Sequence, residues 1–159
     1  LEAHFGEIEV WGEEAMERLG RALASCLRPG DFLGLYGGLG AGKTCLVRGL
    51  AQGLGTDDRL VASPSFTLIN EYPGAIPLFH IDGYRLNRPE EVEELGLEEY
   101  WDGPGITVIE WAERIPHLPE DRLDIHISIL GPESRKVCLL GLGTFSQRNE
   151  LRKLLTLWR

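Results

Sequence analysis

Cysteine, long apolar runs and positive charge are all scarce in this chain, and each scarcity removes a class of protein. Cys26, Cys45 and Cys138 are odd in number, widely spaced and without a C-x-x-C pair, which argues against a disulfide framework and a structural zinc site. No segment approaches the ~18 uninterrupted apolar residues of a membrane-spanning helix. Leu1-Glu2-Ala3-His4-Phe5 lacks the basic-then-apolar order of a secretory leader. Reduced thiols, a cytoplasmic location and no membrane partner are expected. Sixteen Lys and Arg stand against 25 Asp and Glu, a net charge of -9, so the chain is repelled by phosphate backbones at long range. Any nucleic acid is expected to be held by a partner.

What is present is ordinary globular material. A length of 159 residues and an apolar content of 43% suit one domain spanning residues 1–159. Ile8–Trp11 reads as a short edge strand. Glu13–Leu27 follows as a helix with Ala15, Leu19, Ala22, Leu23, Cys26 and Leu27 at helical spacing, stopped by Pro29-Gly30. Asp31–Tyr36 reads as a buried strand, and Lys43–Leu54 as a helix ended by Gly55.

Phe66–Tyr72 suits an exposed strand or an ordered loop, turned by Pro73-Gly74. Ile76–Asp82 and Gly105–Trp111 are two more apolar runs, each carrying a carboxylate near its end, as in strands of a parallel sheet. Between them Pro89–Gly96 predicts a short helix, with Pro89 at its first turn and Gly96 as its cap. Arg122–Leu130 and Arg135–Leu142 alternate like a hairpin around Gly131-Pro132, and Ser146–Trp158 predicts a last helix. The predicted fold class is α/β: a mostly parallel central sheet flanked by helices, with a C-terminal β-hairpin.

Between the Asp31–Tyr36 strand and the Lys43–Leu54 helix stands Gly37-Gly38-Leu39-Gly40-Ala41-Gly42-Lys43-Thr44, which satisfies G-x-x-x-x-G-K-[ST]. Glycines there let consecutive backbone N–H groups turn inward around an anionic phosphate, and Lys43 adds a point charge. The start of the helix adds its partial positive charge, and the Thr44 hydroxyl suits the magnesium that bridges the outer phosphates. A bare eight-residue match can arise by chance; the flanking strand and helix supply the context the motif requires. The motif predicts a P-loop NTPase fold.

Hydrolysis in such a site needs an acid at the end of a neighbouring strand. Asp82 and Glu110 both qualify, and at least one of them is expected to hold magnesium or orient the attacking water, because ligands in these sheets sit at the carboxyl ends of strands. His80 reads as a packed strand residue, and the glutamates of 90–99 as a solvated face or a docking surface. Ser63-Pro64-Ser65-Phe66-Thr67 lies where nucleotide switches carry a phosphate-sensing hydroxyl. No Asn stands in an N-K-x-D motif, and Asp102-Gly103-Pro104-Gly105 precedes a strand where a GTPase motif would follow one, so ATP is expected rather than GTP. A small-molecule kinase and a nucleotide-gated binding module without turnover both remain compatible with the loop; Arg85, Arg88 and Arg114 are too scattered to form a kinase lid.

Beyond the loop, four blocks occur in order: Ser63–Leu68, Glu71-Tyr72, His80-Ile81-Asp82-Gly83-Tyr84-Arg85-Leu86 with Pro89-Glu90-Glu91, and Ile109-Glu110-Trp111. With them the sequence resembles, over nearly its whole length, the TsaE family of bacterial tRNA threonylcarbamoyladenosine biosynthesis proteins. The resemblance implies a magnesium-dependent ATPase, weak alone, that works with TsaB and TsaD to place a threonylcarbamoyl group on the adenosine beside the anticodon of ANN-reading tRNAs. TsaD would carry out the transfer, and tRNA would be met only through the complex. The resemblance further implies that Thr44 and Glu110 bind magnesium with Asp82 beside them, that Trp111 lies close to the site, and that Arg135 reaches the nucleotide.

Several positions depart from the family's usual residues. Gly38 stands where Asp or Glu is common, Cys45 where Thr or Ser follows the magnesium threonine, and Ser65 where Thr is common. Cys45 and Ser65 are still carried over as nucleotide-side positions. Gly12 and Glu13 replace the polar residues often found before the first helix, and no adenine contact is carried over to them.

Overall fold

The computed structural model describes residues 1–56, 69–86, 90, 96, 98–101 and 103–158. Ser63, Ser65 and Thr67, and most of the expected helix over 89–96, lie outside the described residues. The elements are β1 (Glu2–Trp11), α1 (Gly12–Ala24), β2 (Phe32–Tyr36), α2 (Lys43–Leu54), β3 (Ile69–Tyr72), β4 (Leu78–Asp82), α3 (Glu98–Trp101), β5 (Ile106–Glu110), β6 (Arg122–Ile129), β7 (Ser134–Leu142) and α4 (Asn149–Thr156).

The strands form one seven-stranded sheet in the order β1-β7-β6-β2-β5-β4-β3. Its centre is parallel: β2 runs with β5 and with β6, and β4 with β5. Its margins are antiparallel, β3 against β4 on one side and the β6–β7 hairpin with β1 on the other. Strands β2, β4 and β5 therefore deliver their C-terminal ends, and the residues after them, to one edge of the sheet.

Alternation along β2 divides its side chains between two cores. Leu33 and Leu35 join Met16, Leu19 and Leu23 of α1, Leu46, Val47 and Leu50 of α2, and Leu151 and Leu155 of α4 in the larger one. Phe32 joins Ile81, Ile109, Ala112 and Ile115 in the smaller, on the other face. Each fully buried leucine contributes about 1.5–3 kcal/mol by leaving water. Helices α1 and α2 touch backbone to backbone: a Cβ added at Gly49 would lie 2.1 Å from the Glu17 carbonyl oxygen, and one at Gly20 2.3 Å from that of Leu46. A methyl group at either glycine would push the helices apart.

Two elements differ from expectation. β1 has ten residues instead of the four from Ile8 to Trp11. Its pairing with β7 shifts register between His4 and Gly6, a bulge that breaks the alternation by which its first half could have been read. The last helix is shorter than Ser146–Trp158, because a 3-10 turn over Gly143–Gln147 precedes α4. Arg148 stands between the two in a non-helical conformation. Its guanidinium is held by the buried carboxylate of Asp31, Nη2 donating to Oδ1 at 2.7 Å and Nη1 to Oδ2. Among the described residues no helix is long and apolar enough to cross a membrane.

Candidate functional site

The loop between β2 and α2 is shaped by its glycines at three points. A Cβ at Gly37 would lie 2.7 Å from the Ile127 carbonyl oxygen of β6, so the loop leaves the sheet in close contact with it. Gly40 and Gly42 have φ of 77° and 106°, backbone that favours glycine. The Ala41 N–H donates to the Gly38 carbonyl at 3.2 Å, closing a tight turn just before α2 starts at Lys43. The first N–H groups of α2, with the helix dipole behind them, thus open next to the loop.

Lys43 is only 6% exposed. Its Nζ donates to the Gly37 carbonyl and, at 3.4 Å, to that of Gly38, and it sits 3.7 Å from the centre of the Trp111 ring. Burial pulls the Lys43 pKa down, while the carboxylates of Glu110, Glu113 and Asp82 push it back up. Trp111 is the one non-glycine with positive φ among the described residues, at φ 58° and ψ 46°. That left-handed backbone costs on the order of 1 kcal/mol. It turns the chain directly after β5 and leaves the indole against Lys43 on one side and Tyr84, at 5.0 Å between ring centres, on another.

Asp82 and Glu110 end β4 and β5 as register partners on neighbouring strands. They are 8% and 4% exposed, so two buried carboxylates stand side by side at the sheet's edge. The Asp82 Oδ1 accepts the Tyr84 N–H at 3.0 Å. Glu110 meets His80, whose Nε2 donates to Oε2 at 2.5 Å. His80 is fully buried, as a packed strand residue should be, but it also holds the acid, a role the sequence reading missed. The available signal was spacing: His80 precedes Asp82 by two residues, so both side chains leave the same face of β4.

These elements enclose a cleft of about 620 Å³. Of the predicted residues, Gly38, Leu39, Gly40, Ala41, Gly42, Lys43, Thr44, Cys45, Glu110, Trp111 and Arg135 line it. Gly37 lies behind them, bonded to Lys43; Asp82 neighbours Glu110 but does not line the cleft; Ser65 is outside the described residues. Burial pushes the Cys45 thiol up, which keeps it protonated and a poor nucleophile. The opposite wall consists of Gly12, Glu13, Met16, Pro132 and Glu133. No contact was carried over to Gly12 and Glu13, and the other three were not singled out. The wall joins the start of α1 to the β6–β7 turn through one hydrogen bond, Gly12 N–H to the Glu133 carbonyl at 2.8 Å, a pairing that no local pattern encodes. Among the described residues no three His, Cys, Asp or Glu side chains cluster as a metal site.

The family model described as threonylcarbamoyl adenosine biosynthesis protein TsaE matches residues 10–137, from the end of β1 into β7. The chain belongs to the TsaE family. A tRNA threonylcarbamoyladenosine biosynthesis protein TsaE from Bacillus subtilis is 43% identical over 132 residues, 82% of each chain. The protein of the same name from Nostoc is 46% identical over 129 residues, 78% of each. That from Synechocystis is 51% identical over 110 residues, 66% of this chain and 69% of its own. The crystal structure of Bacillus subtilis YdiB superposes with a TM-score of 0.77 at 34% identity, covering 93% of both chains. The α/β architecture described above is thus shared with a solved structure.

Proposed function

We propose that this TsaE-family chain binds ATP with magnesium in the cleft around Lys43 and hydrolyses it, weakly alone, as an accessory protein in forming N6-threonylcarbamoyladenosine in tRNA. Family membership supports the pathway. The observation that carries the nucleotide reading is the convergence of Lys43, Thr44 and Glu110 on one cleft at the N-terminus of α2.

Electrostatics supports a metal as well. Phosphates drawn in by Lys43 and the helix dipole would meet the buried carboxylate of Glu110, with that of Asp82 next to it, and like charges brought close repel unless a cation stands between them. The available donors, a threonine hydroxyl and carboxylates, are the hard oxygen ligands magnesium takes. Thr44 and Glu110 would hold it with Asp82 beside them, and the ion would neutralise phosphate charge. Lys43 would exchange its present carbonyl partners for phosphate oxygens, and Asp82, which neighbours Glu110 without lining the cleft, would help orient water from beside it. The partners in this reading are TsaB and TsaD in the cytoplasm, with tRNA met only through them. A chain of net charge -9 suits that division of labour.

Phosphate release from ATP, measured with and without TsaB and TsaD, tests the reading. Release that rises when the partners are added, and is lost in Lys43→Ala, is expected. Phosphate transferred to a metabolite would instead establish a kinase, and binding without release a nucleotide-gated module; normal turnover by Lys43→Ala would remove the site assignment.

A further inference from the structure

Arg135, near the start of β7 where it pairs with Val10 of β1 and Ile129 of β6, spends its guanidinium on backbone. Its Nε donates to the Ala41 carbonyl at 3.1 Å and its Nη2 to the Gly40 carbonyl at 2.9 Å, so one edge of the fork grips two consecutive carbonyls of the glycine loop. Nη1 donates to the carbonyls of Gly131 at 2.8 Å and Ser134 at 2.9 Å, fixing the same plane to the β6–β7 turn. Four hydrogen bonds thus use four of the five N–H donors of an arginine, all on main chain.

We propose that Arg135 is a positioning residue that sets the shape of the phosphate loop through its carbonyls. A trans peptide unit points its C=O and N–H in opposite directions. Holding the oxygens of Gly40 and Ala41 toward β7 therefore turns the N–H groups of Ala41 and Gly42 the other way. Glycines in the left-handed region at positions 40 and 42 resist peptide rotation little, so the loop needs an external brace to keep one orientation. A planar two-pronged donor supplies it. Lysine cannot, since its ammonium is a single point without a fixed fork. The β6–β7 turn, through the Gly131 and Ser134 carbonyls that hold Arg135, becomes part of the loop's scaffold as well as a wall of the cleft.

This inference deepens the nucleotide reading and rests on it for the catalytic arm only. The experiment is amide hydrogen exchange, read residue by residue in the protein without nucleotide, for wild type, Arg135→Ala and Arg135→Lys, followed by steady-state ATPase assays on the same samples. Exchange at Ala41 and neighbouring loop amides should speed by on the order of tenfold in both variants, as expected for losing two charge-assisted hydrogen bonds, while β2 and β5 amides stay unchanged. KM for ATP should rise by about tenfold with kcat changed much less, because a misshapen cradle weakens ground and transition states alike.

Unchanged loop exchange in both variants would overturn the proposal, as would full recovery of loop protection and KM in Arg135→Lys, which would show that charge alone suffices. If Arg135→Ala melts globally, sheet amides accelerate too and the Lys variant decides. If the loop loosens as expected but wild type neither binds nor hydrolyses ATP, the brace stands and the nucleotide reading fails.

Discussion

His80 and Glu110 meet across neighbouring parallel strands, Nε2 to Oε2 at 2.5 Å, with the histidine fully buried and the glutamate 4% exposed. The carboxylate proposed as a metal ligand is therefore not free to swing. Its orientation is set from β4, the strand that also ends in Asp82. A ligand held by a second, buried group is the usual arrangement around catalytic metals, where the outer partner fixes the inner one's direction.

Removing the histidine donor should expose that dependence. His80→Leu leaves a buried carboxylate without its partner, which costs about 1–3 kcal/mol. Denaturant unfolding is expected to show a lower midpoint at unchanged slope. His80→Gln, whose amide can still donate, is expected to recover most of the loss. Equal destabilisation by both would mean that packing, and not the hydrogen bond, explains the histidine.

The glycines of the loop are unequal, and the inequality is testable. A Cβ at Gly38 would meet nothing within 4 Å, and its φ is not in the left-handed region. Gly42, at φ 106°, would bring a Cβ within 3.2 Å of the Met16 Cε on α1. Gly38→Ala should be neutral or stabilising by about 0.5 kcal/mol through the unfolded chain. Gly42→Ala should destabilise by more than that and impair nucleotide binding. Calorimetric melting with and without ATP separates the two.

Legibility followed the range of the interactions. The loop, its strand and its helix were readable because every determinant lies within about twenty consecutive residues, and the acids because a carboxylate ending an apolar run is a local pattern. Arg135 was placed near the site only by resemblance, since its four acceptors sit on Gly40, Ala41, Gly131 and Ser134, two of them more than ninety positions away. His80 was read as packing because its partner is thirty residues on, at the end of another strand. β1 was read short for a different reason: Gly6 introduces a bulge, and a single inserted residue reverses the phase on which strand reading depends. The late start of the last helix likewise turns on Asp31, over a hundred residues before Arg148.

Tyr36 supplies a pH dependence on the opposite face of the sheet. It ends β2, donates its hydroxyl to Asp124 Oδ1 at 3.2 Å and stacks on His126 at 4.3 Å between ring centres. Asp124 is buried and also receives Arg122 Nε at 3.0 Å. Burial first, and then the Asp124 charge, pushes the Tyr36 pKa from 10.0 to about 12, with Arg122 opposing. The folded state therefore keeps a proton that the unfolded chain releases between these values. The stabilisation is complete below pH 10 and drains away as pH rises toward 12. Tyr36→Phe removes the hydroxyl and with it this loss. At neutral pH the variant should be less stable by about 1 kcal/mol for the missing hydrogen bond. Above pH 10 the gap between wild type and variant should shrink steadily, because only wild type carries the linked proton. Urea unfolding at stepped alkaline pH measures the gap, and difference absorbance of tyrosinate identifies the late-titrating ring. A gap that stayed constant through the alkaline range would show that the Tyr36 hydroxyl titrates alike in folded and unfolded chains.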